Sequence, residues 1–318
     1  MESHEGDLQL LREKIKALPS KPNGWDGRAD TPFYQYQGFW HYAFALENIM
    51  WQQEHFVGQP SDIVIATPQK GGTTWLRALA FAIATRDQFN SSTSPLLTNV
   101  SHGCVRRLEM PSLREVPKTP LLGTHTPYVS LPKSTLASGC KIVYMCREPK
   151  DLFVSQWHFY RSLAKEQVSL EEAFELFCEG LSPYGPYWHH VLGYWNASLK
   201  HPNEVLFLKY EDMKKSTADQ VKKLAEFMGY PFSAEEETEG EVQNLVDFCS
   251  FDNLRNLQVS KTGIFQVTEE LKVSNKLYYR RGDIGDWKNH LTREMQERID
   301  QITEERFKSC GLTFDIAT

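Results

Sequence analysis

The chain has 318 residues and a formal net charge of −6, with 41% hydrophobic and 24% charged residues. This composition is typical of a globular protein that buries a substantial core, and it excludes an extended disordered chain. The negative net charge argues against a nucleic-acid partner. A site for an anionic ligand must therefore be a local concentration of positive side chains.

The N-terminal residues are acidic and lack the basic and apolar regions of a secretory signal. No apolar run reaches the roughly 18 residues that a bilayer span needs, so we expect no membrane partner. Six cysteines are scattered along the chain without paired or metal-binding spacing. We therefore expect a reduced, cytosolic protein.

The first 60 residues precede the strongest signals. Residues 1–30 predict a short helix around Leu8 to Leu18 and then a linker, and we expect one domain over 1–318 with its core at about 60–314. Residues 33–40 are densely aromatic. Aromatic clusters usually form core, but ligand pockets are also mostly apolar and aromatic. This stretch therefore fits either a core or a pocket wall.

A short apolar run followed by a glycine-rich turn predicts a strand, a phosphate-binding loop and a helix. Ile63–Ala66 is the uninterrupted run expected of a strand buried on both faces of a parallel sheet. Glycines let the backbone approach an anion, which the start of a helix favours. The turn residues concerned are Lys70, Gly71, Gly72, Thr73 and Thr74. An ATP-binding P-loop would instead have its lysine after the glycines.

Two further apolar runs are followed by residues that can accept a proton or bind a phosphate. Pro120–Thr124 predicts a short strand followed by His125, whose neutral imidazole can accept a proton near neutral pH. Lys141–Cys146 predicts a buried strand that ends at Arg147, and Ser155 lies on the helix that follows. A planar guanidinium and a hydroxyl are groups that can bind one phosphate.

The C-terminal half contributes a third strand and a basic loop. We predict a buried strand over Val205–Met213. His189 and His190 point to different sides of a helix, so they make a poor metal pair. A loop that can close on a doubly charged phosphate combines two arginines and a glycine, namely Arg280, Arg281 and Gly282.

These segments together resemble the cytosolic sulfotransferases of plant type, which use 3′-phosphoadenosine 5′-phosphosulfate (PAPS). The similarity runs from about Tyr34 to Phe314. It rests on motifs that resemble the family's phosphosulfate loop, its Thr-His-x-Pro, its 3′-phosphate motif and its Arg-Lys-Gly-x-x-Gly-Asp-Trp-Lys-Asn segment: Lys70–Trp75, Thr124–Pro127, Arg147–Ser155 and Arg280–Asn289. The chain departs from the family at four places: Gln69 replaces a proline, Gly123 a lysine of animal members, Arg281 a lysine, and Arg293 a valine of the dimer motif.

The resemblance implies one α/β domain with a central parallel sheet flanked by helices, the P-loop-kinase-like sulfotransferase fold. It implies that Lys70–Thr74 hold the 5′-phosphosulfate and that Trp75, Tyr210 and Phe251 contact the adenine. It assigns the 3′-phosphate to Arg147, Ser155 and the loop formed by Arg280, Arg281 and Gly282.

The implied reaction is sulfuryl transfer to a hydroxyl of a small metabolite, such as a flavonoid, a steroid or a hydroxyjasmonate. His125 is the implied general base, Lys70 offsets charge on the leaving phosphate, and no metal is required. The resemblance suggests a monomer or a weak homodimer. Two alternatives remain at this stage: an inactive nucleotide-binding protein, and an ATP-dependent kinase of small molecules.

Overall fold

The computed structural model describes residues 2–22, 25, 32–109, 118–164, 168–268 and 271–314, and is built around a five-stranded parallel sheet. The strands of this part of the chain are β1 (Ser20–Lys21), β2 (Phe33–Tyr36), β3 (Phe39–Tyr42), β4 (Ile63–Ala66), β5 (Arg106–Arg107), β6 (Leu121–Thr124), β7 (Lys141–Cys146), β8 (Val205–Lys209), β9 (Ile264–Gln266) and β10 (Lys272–Ser274).

The central sheet has the order β5-β6-β4-β7-β8, and every neighbouring pair is parallel. Ala66 pairs with Thr124 on one side and with Tyr144 on the other, while Cys146 pairs with Lys209. The strands consequently end at one common edge. Residues that follow these ends are brought together there, as in other open α/β sheets.

Helices cover both faces of the sheet. They are α1 (Glu2–Lys16), α2 (Ala43–His55), α3 (Thr73–Thr85), α4 (Ser101–Cys104), α5 (Lys133–Ala137), α6 (Pro149–Leu163), α7 (Leu170–Cys178), α8 (Tyr187–Lys200), α9 (Tyr210–Lys215), α10 (Thr217–Met228), α11 (Ala234–Thr238), α12 (Glu241–Phe248), α13 (Phe251–Asn256), α14 (Gln258–Thr262) and α15 (Arg293–Phe307). Within the described ranges, we find no helix with both the length and the apolarity needed to cross a bilayer.

The two faces of the sheet pack into two separate hydrophobic clusters. Val64 and Ala66 of β4 belong to one cluster, and Ile63 and Ile65 belong to the other. This alternation explains why β4 is an unbroken apolar run, because each face of the strand needs apolar side chains. The predicted α/β fold with a central parallel sheet is confirmed.

Two small antiparallel sheets lie outside the predicted elements. β1, β2 and β3 form one, so the predicted linker contains a strand at Ser20–Lys21. β9 and β10 form the other. The prediction of a strand over Val205–Met213 is wrong at its end, since β8 stops at Lys209 and Tyr210 begins α9. Acidic residues in the first turn of α9 favour a helix at this point.

Candidate active site

One cavity opens at the edge where the parallel strands end. The loop 67–72 follows β4, His125 follows β6, Arg147 follows β7 and Tyr210 follows β8. All four contribute to the wall of this cavity. Its position is therefore a consequence of the strand order and of the shared strand direction.

The cavity brings together most of the predicted site residues. Those that line it are Lys70, Gly72, Thr73, Thr74, Trp75, His125, Arg147, Ser155, Tyr210, Phe251, Arg280, Arg281 and Gly282. The exception is Gly71, which is buried within the turn and whose N–H donates to the carbonyl of Pro68 at 3.0 Å. Gly71 therefore shapes the loop without forming the described cavity wall.

The phosphate loop has a backbone that few residues tolerate. Gly72 has a φ of +97°, and a Cβ atom there would meet Met145 Cε at 2.5 Å and Tyr210 Cδ2 at 2.8 Å. Lys70 also has a positive φ, of +66°. Such conformations in non-glycine residues cluster at ligand sites, where the surrounding structure holds them. The loop leads directly into α3, whose first residue is Thr73.

Gln69, which replaces the family's proline, ties the phosphate loop to α6. Its carbonyl accepts a hydrogen bond from Gln156 Nε2 at 3.0 Å, and its side-chain oxygen accepts one from the hydroxyl of Tyr160. Both partners lie on α6, the helix that also carries Ser155. The side-chain bond, which a proline cannot make, therefore adds to the backbone bond in holding the loop to a neighbouring helix.

The phosphate loop lies in a strongly positive environment. Burial, followed by the charges of Arg147 and Arg280, lowers the pKa of Lys70 to about 7. Lys70 Nζ lies 4.4 Å from the ring centroid of Phe159. Cations from three distant segments thus act on one another across the cavity. Such mutual repulsion is unfavourable unless an anion lies among them.

Arg147 is held at the end of β7 with part of its guanidinium unsatisfied. Its Nη2 donates to the carbonyl of Asp283 at 2.6 Å and lies 3.6 Å from the carboxylate of Asp151. Its Nε is buried and has no hydrogen-bond partner among the described residues. The Asp151 carboxylate also accepts from the N–H groups of Gly285 and Trp287, at 2.7 and 3.2 Å. α6 therefore fixes the basic loop next to Arg147.

The basic loop presents two arginines around one carboxylate. Arg280 and Arg281 lie 2.5 and 2.6 Å from the oxygens of Asp286. Burial alone would raise the pKa of Asp286, but hydrogen bonds from Asn289 and Arg280 and the two arginine charges lower it to about 2. Asp286 is thus ionised over the physiological range, and it orients both guanidinium groups.

Aromatic side chains form the wall between the two basic regions. The rings of Trp75 and Tyr210 meet edge to face with centroids 5.5 Å apart. The Tyr210 hydroxyl donates to the carbonyl of Gly282 at 2.7 Å. A Cβ atom at Gly282 would lie 2.4 Å from Phe251 Cδ2, so the ring of Phe251 packs directly on this backbone. The wall offers flat apolar surfaces to a planar ligand.

His125 is fixed by hydrogen bonds to three residues. Its N–H donates to Glu109 Oε1 at 2.8 Å, and its carbonyl lies 2.9 Å from His190 Nε2. Its Nδ1 lies 2.9 Å from the carbonyl of Thr67, which can only accept, so this contact assigns the ring proton to Nδ1 and leaves the lone pair on Nε2. Burial, followed by the charge of Arg77, lowers the pKa of His125 to about 3.

The end of the cavity near His125 contains residues that the sequence analysis missed, namely Arg77, His102, Arg107, Glu109 and Tyr278. Arg77 gave a usable signal, because it is the only charged residue in α3. The others gave none, since they lie in turns or short elements without a motif.

The suggestion that the aromatic stretch 33–40 lines the pocket is wrong. Tyr42 and Phe44 line the cavity, whereas no residue of 33–40 does. Phe33 and Phe39 are buried in the core, because the β2–β3 hairpin turns them inward. The hairpin supports the site indirectly, since Trp40 exchanges backbone hydrogen bonds with the 184–185 segment.

Known proteins are similar to this chain over most of its length. The sulfotransferase domain family matches residues 60–311. A flavonol sulfotransferase-like protein of Flaveria bidentis is 46% identical over 310 residues, which are 95% of this chain and 99% of that protein. Cytosolic sulfotransferase 17 of Arabidopsis thaliana is 45% identical over 318 residues, 96% of this chain and 91% of that protein.

Solved structures show the same fold. An Arabidopsis thaliana protein described as a steroid sulphotransferase is 36% identical, with a TM-score of 0.73 over 98% of this chain and 97% of that chain. A mouse sulfotransferase complexed with PAP is 24% identical, with a TM-score of 0.67 over 87% of this chain and 95% of that chain. The chain therefore belongs to the sulfotransferase family, and it is an enzyme of the plant cytosolic type.

Proposed function

We propose that this sulfotransferase takes its sulfuryl group from PAPS and transfers it to a hydroxyl of a small metabolite, with His125 as general base. The main support is the convergence of Lys70, Arg147 and Arg280 on one cavity from three distant segments. A ligand with anionic groups at both ends satisfies these separated cations. The names of the plant relatives support a hydroxylated acceptor and a cytosolic location for this chain.

The residues of the cavity fit both ends of PAPS. Gly72 leaves room at the start of α3, where a Cβ atom would collide with its neighbours, and α3 offers its first N–H groups to an anion. At the other end, the buried Nε of Arg147 has no partner within the described residues, and a 3′-phosphate oxygen can accept from it. Ser155, Arg280, Arg281 and Gly282 supply further donors there.

His125 accepts the proton of the acceptor hydroxyl at Nε2. The Thr67 carbonyl holds the ring proton on Nδ1, so the ring is oriented with its basic nitrogen free of that bond. The positive charges of Arg77, Arg107 and Lys70 all lower the pKa of His125. Negative charge bound beside them acts in the opposite direction, and therefore makes the imidazole a stronger base when the cavity is filled.

Lys70 stabilises negative charge on the leaving phosphate. PAPS supplies an activated sulfuryl group whose departure leaves charge on the bridging oxygen. Transfer of this kind needs in-line placement and charge stabilisation more than covalent chemistry with the protein. Lys70 lies in the phosphate loop, and the charges of Arg147 and Arg280 lower its pKa. The scheme uses no metal, and a monomer or weak homodimer remains our prediction.

Nucleotide affinity with and without the 3′-phosphate tests the cofactor assignment. We expect 3′-phosphoadenosine 5′-phosphate (PAP) to bind more tightly than adenosine 5′-phosphate, because only PAP reaches Arg147 and the basic loop. Arg147→Ala should remove most of that difference, which isothermal titration calorimetry measures. Equal affinities in the original protein would contradict the 3′-phosphate site and favour an ATP-type nucleotide protein.

A sulfate-transfer assay with PAPS and a panel of phenols and alcohols tests the reaction itself. We expect turnover with at least one hydroxylated aromatic acceptor. Tight binding of PAP without any turnover would favour the alternative of an inactive nucleotide-binding protein.

A further inference from the structure

A cluster of charged side chains lies at the His125 end of the cavity, and the cofactor scheme leaves it unused. Arg77, Arg107 and Glu109 all line this end. Arg77 comes from α3, Arg107 ends β5, and Glu109 follows two residues later. Arg77 and Glu109 have only 0% and 2% of their surface exposed. Burial of two charged side chains in one wall is rare unless they are paired or bind something.

The guanidinium of Arg77 has no hydrogen bond within the described residues. This holds for Nε, Nη1 and Nη2 alike. Burial lowers the pKa of Arg77 to about 10, while the charge of Glu109 opposes the shift. The group therefore stays charged at neutral pH. A buried guanidinium with five unused donors is strongly destabilising unless a ligand satisfies them.

Gly123 makes the space in which the guanidinium lies. A Cβ atom at Gly123 would meet Arg77 Cζ at 2.5 Å and Nε at 2.6 Å. Gly123 lies two residues before His125, so this packing holds the cation beside the catalytic base. Of the neighbouring charges that lower the pKa of His125, that of Arg77 has the largest effect. The donors of Arg77 are therefore close to the place where the acceptor hydroxyl reacts.

Within the described residues, the charged side chains around Arg77 leave this end with a positive excess. Arg77 and Arg107 contribute two positive charges there, and Glu109 contributes one negative charge. Arg107 donates to the carbonyl of Val267 at 3.0 Å. Glu109 uses one oxygen for the N–H of His125 at 2.8 Å. Tyr184 and Tyr278 supply aromatic walls. The arrangement is complementary to a hydroxylated aromatic compound with one negative charge.

We propose that Arg77 binds a singly charged oxyanion of the acceptor, a carboxylate or a sulfate ester, and so selects acidic hydroxylated acceptors over neutral ones. The proposal rests on the function proposed above, because the anchored group must lie on the molecule whose hydroxyl meets His125. A guanidinium binds such oxyanions through two parallel hydrogen bonds.

Matched pairs of acceptors test this without any variant. Phenolic carboxylic acids are compared with their methyl esters, and phenols carrying one sulfate ester with the corresponding methyl ethers. Turnover with PAPS gives kcat/KM, and titration of the PAP-loaded protein gives binding. We expect the charged member of at least one kind of pair to be favoured about tenfold or more, as for a charge-assisted hydrogen bond. Preference for the neutral member in both kinds, or no preference, overturns the proposal.

Three substitutions locate the effect. Arg77→Met should bring the ratio of acid to ester close to one, and Gly123→Ala should lower it by displacing the guanidinium. Arg106→Met is the matched control, because Arg106 is the exposed neighbour of Arg107, with its guanidinium 5.8 Å from the ring centroid of Phe56. An equal loss for acid and ester in Arg77→Met would instead assign Arg77 to the transferring group and overturn the proposal.

Measuring the affinity for PAP separates the test of Arg77 from the test of the proposed function. Failure of the original protein to bind PAP contradicts the proposed function. Normal binding of PAP together with an unchanged ratio in Arg77→Met contradicts only the role of Arg77.

Discussion

At the scale of single residues, His125 is fixed more tightly than its motif suggests. The motif identifies a histidine after a strand, but it does not reveal what holds the ring. Glu109, Thr67 and His190 supply the hydrogen bonds, from 16, 58 and 65 positions away in the chain. Such partners depend on tertiary structure, so sequence reasoning could propose the histidine but missed the residues that hold it.

Replacement of the proposed base should separate catalysis from binding. We expect His125→Ala to lower kcat by about 10²–10⁴-fold, which is the usual range for loss of a general base. The affinity for PAP should stay near the original value, because the side chain faces the acceptor. Turnover and calorimetry measure the two effects.

The exposed histidine of α8 provides the control for that experiment. His189→Ala removes a ring whose neighbour His190 is buried against the His125 carbonyl. It should leave both turnover and PAP affinity unchanged. Unchanged turnover in His125→Ala would exclude His125 as the base.

At the scale of elements, the phosphate loop depends on one glycine for its shape. Gly72→Ala forces an L-residue into a φ of +97° and drives a Cβ atom against Met145 and Tyr210. We expect lower stability, by about 1–2 kcal/mol for the backbone alone. We also expect weaker PAP binding, because the loop must shift. Chemical denaturation and calorimetry measure these changes.

Gly240 offers a control with the same backbone and no crowding. Its φ is +81°, and nothing lies within 4 Å of the position of a Cβ atom. Gly240→Ala should therefore show the backbone cost but keep full affinity for PAP. If Gly72→Ala also kept full affinity, the loop would not be the binding element that we propose.

The elements differ in how well the sequence predicted them. β4 and β7 were found because each is a continuous apolar run that must be buried on two faces. β5 has two residues and β9 three, so neither is long enough for a periodic pattern, and both depend on distant partners. β8 was predicted too long: its apolar run ends at Leu208, and the charged residues Glu211 and Asp212 belong to the helix that Tyr210 begins.

At the scale of the whole molecule, the sheet order explains why scattered motifs form one site. β4 lies at the centre, with β6 and β7 on its two sides. Local patterns could identify these strands but not their order, which results from how the helices pack on both faces. The resemblance to sulfotransferases implied a central parallel sheet, but neither it nor composition and periodicity specified the order of the strands.

The molecule also buries several neutral imidazoles, which makes its stability depend on pH. Burial lowers the pKa of His41 and of His125 to about 3 and that of His190 to about 4. An unfolded chain protonates histidine near pH 6.5. Between about pH 6.5 and the lowered values, the unfolded state binds more protons, so the free energy of unfolding falls as the pH falls.

His41 allows one such contribution to be measured outside the cavity. Its two ring nitrogens have no hydrogen-bond partner among the described residues, and its ring meets that of Tyr184 edge to face at 5.3 Å. His41→Phe keeps an aromatic ring and removes the proton site. Between pH 6 and pH 4, the free energy of unfolding should then fall less steeply, by up to about 1.4 kcal/mol per pH unit for one proton.

Urea denaturation at several pH values gives this slope for each protein. Burial raises the pKa of Glu148 to about 7, so this residue changes the free energy of unfolding with pH in the opposite direction. Glu148 is present in both proteins, so its contribution cancels in the difference. His55→Phe is the control, because it makes the same exchange of an imidazole for a phenyl ring at an exposed position. If His41→Phe kept the original slope, His41 would have to take up its proton equally in the folded and unfolded chain, and its burial as a neutral ring would be wrong.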